Sequence, residues 1–314
     1  MIKKLIATGS MLALIIVGGI AVYQNAKQST HGGKDKLTVV ASFYPLYDFT
    51  RQVGGDKVSV TNMTPPGAEP HDYEPSPKEL IRAHEADVLV YNGAQLEPWI
   101  TSFLADYTQT TIRASDGIDV HESSDDHHED DGHDHSASAT TDPHFWLDPV
   151  LAQQIVETIR DGLVRADPEN AEYYTANADA YTQKLAELDR SFASGLAECK
   201  IDTAISSHGA FSYIARRYDF RVESIAGIEP DEEPSVAKMA ELTNVVKQKG
   251  IQYVFFESLV SPRLAETIAK EAGVKTLVFD PIEGLSKADQ DKGRDYISVQ
   301  YDNLKNLRTA LACS

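Results

Sequence analysis

PENAEYYTANADAYTQKLAELDRSFASG, residues Pro168–Gly195, is the stretch on which the fold turns. Asp167 and Pro168 open it as a cap followed by a proline at the first helical position, and Gly195 closes it. As one helix it would run roughly 40 Å at 1.5 Å per residue. On either side, short apolar runs alternate with amphipathic segments. Upstream, strands are expected over Leu37–Ala41, Val58–Met63, Val88–Tyr91 and Thr111–Arg113. Helices fall between them over Pro45–Val53, Pro77–His84 and Glu97–Asp106, and Asp148 caps a further helix over Pro149–Arg165. Downstream, strands over Thr203–Ser207, Phe220–Ser224, Tyr253–Phe256 and Lys275–Phe279 alternate with helices over Ala210–Tyr218, Ser235–Lys249, Pro262–Ala272 and Asp295–Leu311. Such alternation predicts parallel sheets with helices on both faces. The chain therefore reads as α/β, with lobes over 37–166 and 196–314 joined by a long rigid helix over 167–195.

The remaining segment, at the N-terminus, is of another kind. Lys3 and Lys4 precede an apolar stretch to Tyr23, so 1–23 reads as a secretory signal or an uncleaved membrane anchor. Residues 24–36 are polar and read as a tether, in which His31 is incidental. Export would permit a disulfide. Cys199 and Cys313, the chain's two cysteines, flank its C-terminal half, where a bridge would tie the first strand to the last helix. No C-x-x-C pair suggests a cysteine zinc site.

The formal net charge of the 314 residues is −19. Part of it lies in HESSDDHHEDDGHDH, His121–His135, which holds five of the chain's ten histidines and seven acids with no Lys or Arg. Imidazole and carboxylate both ligate zinc-like ions, so His121, His127, His128, His133 and His135 read as a secondary, weak metal-collecting loop. The alternative is a solvated acidic loop. Ordering such a tract costs entropy, which argues against tight binding there. Without its acids the body remains at −12, and nothing forms a basic patch, so a nucleic-acid partner is excluded.

Other histidines stand where ligands gather. In open parallel sheets that is beyond the carboxyl ends of the strands. His71 follows the second strand. His208 follows TAISS. Asp280 follows KTLVF, with Glu283 three residues on, and His144 precedes the helix at Pro149. A cleft between the lobes would gather three imidazoles and a carboxylate, which saturate four-coordinate zinc and leave no open position for substrate. The pattern points to binding rather than catalysis. An envelope zinc hydrolase would need a base such as Glu69 or Glu283, and no H-E-x-x-H supports it. His84 lies on a short helix among charges and reads as a surface residue. Glu257, at the end of YVFFES, reads as a cap for the helix at Pro262 or as an acceptor behind a ligand.

PHDYEPSP (Pro70–Pro77), DPHFWLDP (Asp142–Pro149), SHGAFSYIARRY (Ser207–Tyr218) and FDPIEGL (Phe279–Leu285) occur in this order. In these motifs, and from about Leu37 to Leu311, the chain resembles the two-lobed receptors of bacterial zinc and manganese ABC importers. The resemblance implies an extracytoplasmic, monomeric Zn²⁺ receptor at the outer face of the cell membrane, delivering to an ABC permease with a cytoplasmic ATPase. It implies His71, His144 and His208 as ligands. Manganese-type members tend to carry Glu at the position of His208, and imidazole favours zinc. Glu283 and Asp280 are alternatives for the fourth ligand. The Pro-Ile-Glu-Gly-Leu context favours Glu283, leaving Asp280 to steady a histidine ring. Rival readings are a manganese or broad-specificity receptor and a metal-stabilised adhesin. The chain departs from lipoprotein relatives in having no cysteine before residue 36. Neutral imidazoles are required, so affinity is expected to fall as pH drops through about 6.5.

Overall fold

Strand β1 (Leu37–Ala41) pairs in parallel with β2 (Val58–Asn62) on one side and β3 (Val88–Tyr91) on the other, and β4 (Thr110–Arg113) extends the sheet beyond β3. These are the first elements of a computed structural model in which residues 36–121 and 141–314 are described. The expected segment 1–23 and all but the last residue of the expected tether 24–36, with His127, His128, His133 and His135, lie outside them.

The order β2-β1-β3-β4 buries both faces of the central strands. Val39, Ala41, Val88 and Val90 point into the main core. Their neighbours Val40 and Leu89 point into a second cluster with Ala83, Ile100 and Tyr107. An uninterrupted apolar run is what a strand covered on both faces requires. One face is covered by α1 (Tyr44–Gly54) and α4 (Pro149–Ala166); α2 (Pro77–Glu85) and α3 (Ile100–Leu104) cover the other. Helix α4 lies so close to the sheet that a Cβ on Gly162 would stand 2.1 Å from Ile112.

Helix α3 is shorter than the expected Glu97–Asp106. The Glu97 carboxylate is buried and accepts hydrogen bonds from the Ser42 hydroxyl (2.6 Å) and the Asn92 (2.6 Å) and Gly93 (3.2 Å) amides, so that residue belongs to the loop after β3.

The long helix α5 spans Ala171–Gly195 after one turn of 3₁₀ helix at Pro168–Asn170. It buries Tyr174, Ala178, Tyr181, Leu185, Leu188 and Phe192, alternating steps of four and three that make one apolar stripe. Near its start the Asn177 side chain donates to the Val53 carbonyl (3.0 Å), and near its end Phe192 stacks on Tyr218. The helix thus packs against both halves of the chain.

The second half holds two parallel pairs, β5 (Thr203–Ser206) with β6 (Arg221–Ser224) and β7 (Tyr253–Phe256) with β8 (Lys275–Val278), with β5 beside β7. Helices α6 (Ser212–Arg217), α7 (Val236–Lys249), α8 (Arg263–Ala272), α9 (Lys287–Asp291) and α10 (Tyr296–Ala310) complete it. Cys199 and Cys313 form a disulfide that closes this half, with Cys199 just ahead of β5. Among the described residues no helix is long and apolar enough to cross a membrane.

Candidate metal centre

The segment carrying His144 is set by the first sheet. Glu97 holds the Asn92 amide, and the Asn92 side chain donates to the Pro143 carbonyl (3.0 Å). Asp142 then accepts from both the backbone N–H (3.0 Å) and Nδ1 (2.8 Å) of His144, while its other oxygen takes the Ser212 hydroxyl. Burial opposes charge on Asp142, but its contacts with His144 and Ser212 outweigh this and hold the carboxyl below its usual range. The turn Phe145–Leu147 follows, and Asp148 caps α4 through the Val150 amide (2.7 Å).

His208 leaves the carboxyl end of β5. Its backbone N–H (3.2 Å) and Nδ1 (2.8 Å) both donate to Glu257, the residue that follows β7. Of the two roles expected for Glu257, the structure displays the acceptor behind a histidine. His71 sits in the loop after β2, where its backbone N–H donates to Glu69 (3.1 Å) and its Nδ1 faces Glu229 (3.2 Å).

Glu283 arrives on a strained turn. Ile282 has φ +60°, rare for a β-branched residue, and its amide donates to Asp280 (2.7 Å). Asp280 is therefore turned back on its own loop. It accepts from Ser258, and its backbone exchanges hydrogen bonds with Asn303. It neither joins the cluster nor steadies a histidine ring, as expected of it; it shapes the turn that presents Glu283. Trp146 Nε1 donates to the Pro281 carbonyl (2.8 Å), locking this turn to the His144 segment.

His71, His144, His208 and Glu283 are all buried, and each offers a ligand atom within 4.8 Å of the others. The Nε2 atoms of His71 and His208 lie 3.1 and 3.3 Å from that of His144. Glu283 Oε1 stands 3.5, 3.2 and 3.4 Å from Nε2 of His71, His144 and His208. A tetrahedron of donors 2.0–2.1 Å from zinc has edges of about 3.3 Å. The tautomers follow from the partners: with every Nδ1–H directed at a carboxylate, three Nε2 lone pairs and a carboxylate oxygen converge. Such acceptors repel one another, and a divalent cation satisfies them together.

Without a cation the same convergence draws protons. Burial works against charge on His71, yet Glu229 and Glu283 outweigh it and raise its pKa to about 10. His208 is likewise raised, by Glu257 and Glu283 against burial, and the histidines hold Glu283 low despite its burial. Burial and then the Glu283 charge raise Glu69 to about 8.

The other sequence candidates fall elsewhere. His84 lies at the surface, with its ring nitrogen near the Asp106 carbonyl (3.3 Å). His121 stacks on Tyr213, and Arg216 donates to its Nε2 (2.6 Å), which occupies that nitrogen. Two carboxylates behind the rings were not foreseen. Asp142 stands two residues before His144 in Asp-Pro-His, a spacing that would have found it. Glu229 lies in the acidic run IEPDEEP and carries no such signal.

With this geometry in view, residues 39–310 match the family model described as zinc-uptake complex component A, periplasmic. The chain is 40% identical over 291 residues to the high-affinity zinc uptake system protein ZnuA of Bacillus subtilis, covering 91% of each. It is 39% identical over 305 residues to the zinc-binding lipoprotein AdcA of Streptococcus pneumoniae, covering 95% of this chain but only 60% of that longer protein. Among solved structures it is similar to the Zn(II)-bound ZnuA-like domain of S. pneumoniae AdcA, with TM-score 0.75, 39% identity and coverage of 88% and 99%. It is also similar to the laminin-binding protein Lmb of Streptococcus agalactiae, described as having adhesin and metal-transporting activity (TM-score 0.78, 29% identity, coverage 88% and 99%).

Proposed function

The chain belongs to the family of the periplasmic zinc-uptake complex component A, and from that premise we propose that this protein captures zinc with His71, His144, His208 and Glu283. It is an extracytoplasmic zinc receptor. The observation that carries the ligand assignment is the convergence of four buried donors at the spacing of a zinc tetrahedron. His71 and His144 come from the first half of the chain, His208 and Glu283 from the second. Bound Zn²⁺ thus bridges the halves. Four protein ligands leave no coordination position for substrate, which suits a carrier rather than a hydrolase.

Delivery to an ABC permease with its ATPase, action as a monomer at the outer face of the membrane, and the role of the 121–135 tract as a weak collector complete the proposal. Three imidazoles select zinc over manganese, which favours oxygen donors. The test is a competition titration against a chromophoric zinc chelator with parent and His144→Ala. The variant is expected to lose at least 100-fold in zinc affinity. Retention of the parent's tight binding would overturn the assignment, and displacement of zinc by equimolar Mn²⁺ would overturn the selectivity.

A further inference from the structure

The three carboxylates behind the imidazoles are not alike. Asp142 and Glu257 are 2% and 3% exposed, and each also accepts the backbone N–H of the histidine it holds. Glu229 meets His71 only at the ring, and its side chain is 43% exposed. It also comes from the opposite half of the chain.

The turn that presents Glu229 is built for it. The Gly227 carbonyl accepts from the Gly209 amide (2.7 Å), next to His208, and the Gly227 amide donates to the Glu232 carboxylate (3.1 Å). A Cβ at Gly227 would stand 2.0 Å from that carboxylate, so a larger residue there would push the Glu232 side chain aside. The Glu232 amide closes on the Glu229 carbonyl (3.3 Å), and Ile228 and Pro230 are buried on either side of Glu229. The His71 loop, by contrast, ties its backbone to itself, through Ala68 to Pro65 (3.1 Å), Tyr73 to Pro70 (3.4 Å) and His71 to the Glu69 side chain. Across to the second half, the ring of His71 reaches Glu229 with Nδ1 and Glu283 with Nε2.

We propose that Glu229 is the positioning residue for His71: from the far side of the cleft it holds Nδ1–H, so that Nε2 faces the zinc, and as the solvent-facing member of the shell it sets how fast zinc leaves. The inference rests on the four-ligand reading above. Loss of a partner behind a metal-bound histidine typically costs 10–100-fold in affinity.

The experiment measures zinc dissociation from the full-length protein into excess chelator, for the parent, Glu229→Ala, Glu229→Gln and His144→Ala. Glu229→Ala is expected to release zinc at least ten times faster. Glu229→Gln should recover most of the parent rate, because its amide oxygen still accepts from Nδ1–H. A parent-like rate for Glu229→Ala, with zinc lost from His144→Ala, would overturn the role of Glu229 and leave the site standing. Equal acceleration in the Ala and Gln variants would also overturn it, since charge rather than positioning would then matter. Parent-like rates in both Glu229→Ala and His144→Ala would overturn the site itself.

Discussion

Asp142→Ala is the sharpest probe of how the centre is held. The substitution strips the acceptor from three donors: His144 Nδ1–H at 2.8 Å, the His144 backbone N–H at 3.0 Å, and the Ser212 hydroxyl. A buried donor left without a partner costs about 1–3 kcal/mol. Two of these donors lie on fully buried His144, so the metal-free protein should lose about 3 kcal/mol, allowing for non-additivity. Zinc affinity should fall 10–100-fold, or about 1.4–2.7 kcal/mol, because the ring is no longer held with Nε2 toward the metal. Asp142→Asn keeps an oxygen acceptor for both His144 donors. It should restore most of the stability and part of the affinity, short by what the anion adds to the basicity of the imidazole. Urea melts in EDTA measure the first quantity, and chelator competition the second. Were Asp142→Ala to bind zinc within twofold of the parent, the reasoning would fail. The contacts of Asn92 with Pro143 and of Trp146 with Pro281 would then suffice to aim the ring.

Three further outcomes follow from the charge and the covalent pattern. With His71 raised to about 10 in the metal-free site, zinc must displace a proton at neutral pH. Affinity should therefore keep climbing with pH above the ordinary imidazole value near 6.5 and level only toward about 10. Calorimetry at pH 7.5 in two buffers of different ionisation enthalpy should show at least one proton released per zinc, and none released would refute the coupling. The same raised pKa means that His71 protonation stabilises the metal-free fold fully below about 6.5. That contribution is lost as pH rises through about 10, so the metal-free melting temperature should decline across this window. The disulfide closes a loop with a sequence separation of 114, for which chain entropy gives about 5 kcal/mol. Cys199→Ser with Cys313→Ser should lower the melting temperature by roughly 10 °C or more. Zinc affinity should hold, since Cys199 lies before the amino end of β5 and His208 beyond its carboxyl end. An unchanged melt would show that the bridge adds nothing to stability.

Much of the fold was legible because burial leaves a local trace. Val88–Tyr91 and Tyr253–Phe256 occupy the expected spans residue for residue, since strands covered on both faces are unbroken apolar runs. The long helix could be read from its stripe and its proline-led start. Glu97 was misplaced because a charged residue at the start of an amphipathic segment looks exposed, while here Ser42, Asn92 and Gly93 draw it inward. Asp280 and Glu283, three residues apart after one strand, stood as alternatives that strand position could not separate, and only the Pro-Ile-Glu-Gly-Leu context favoured Glu283. The left-handed Ile282 between them sends one carboxylate back to its own loop and the other to the histidines.

The sequence by itself determined the α/β alternation, the long helix and the imidazoles that stand beyond strand ends, because periodicity and chemical type are local properties. Only the tertiary structure decided which carboxylate closes the cluster, which ones hold each Nδ1, and that Cys199 meets Cys313. Those pairings join Glu283 to His144 and Glu229 to His71 across more than half the described fold. They depend on where the chain returns after its helices have packed, which the composition of a loop such as IEPDEEP does not encode.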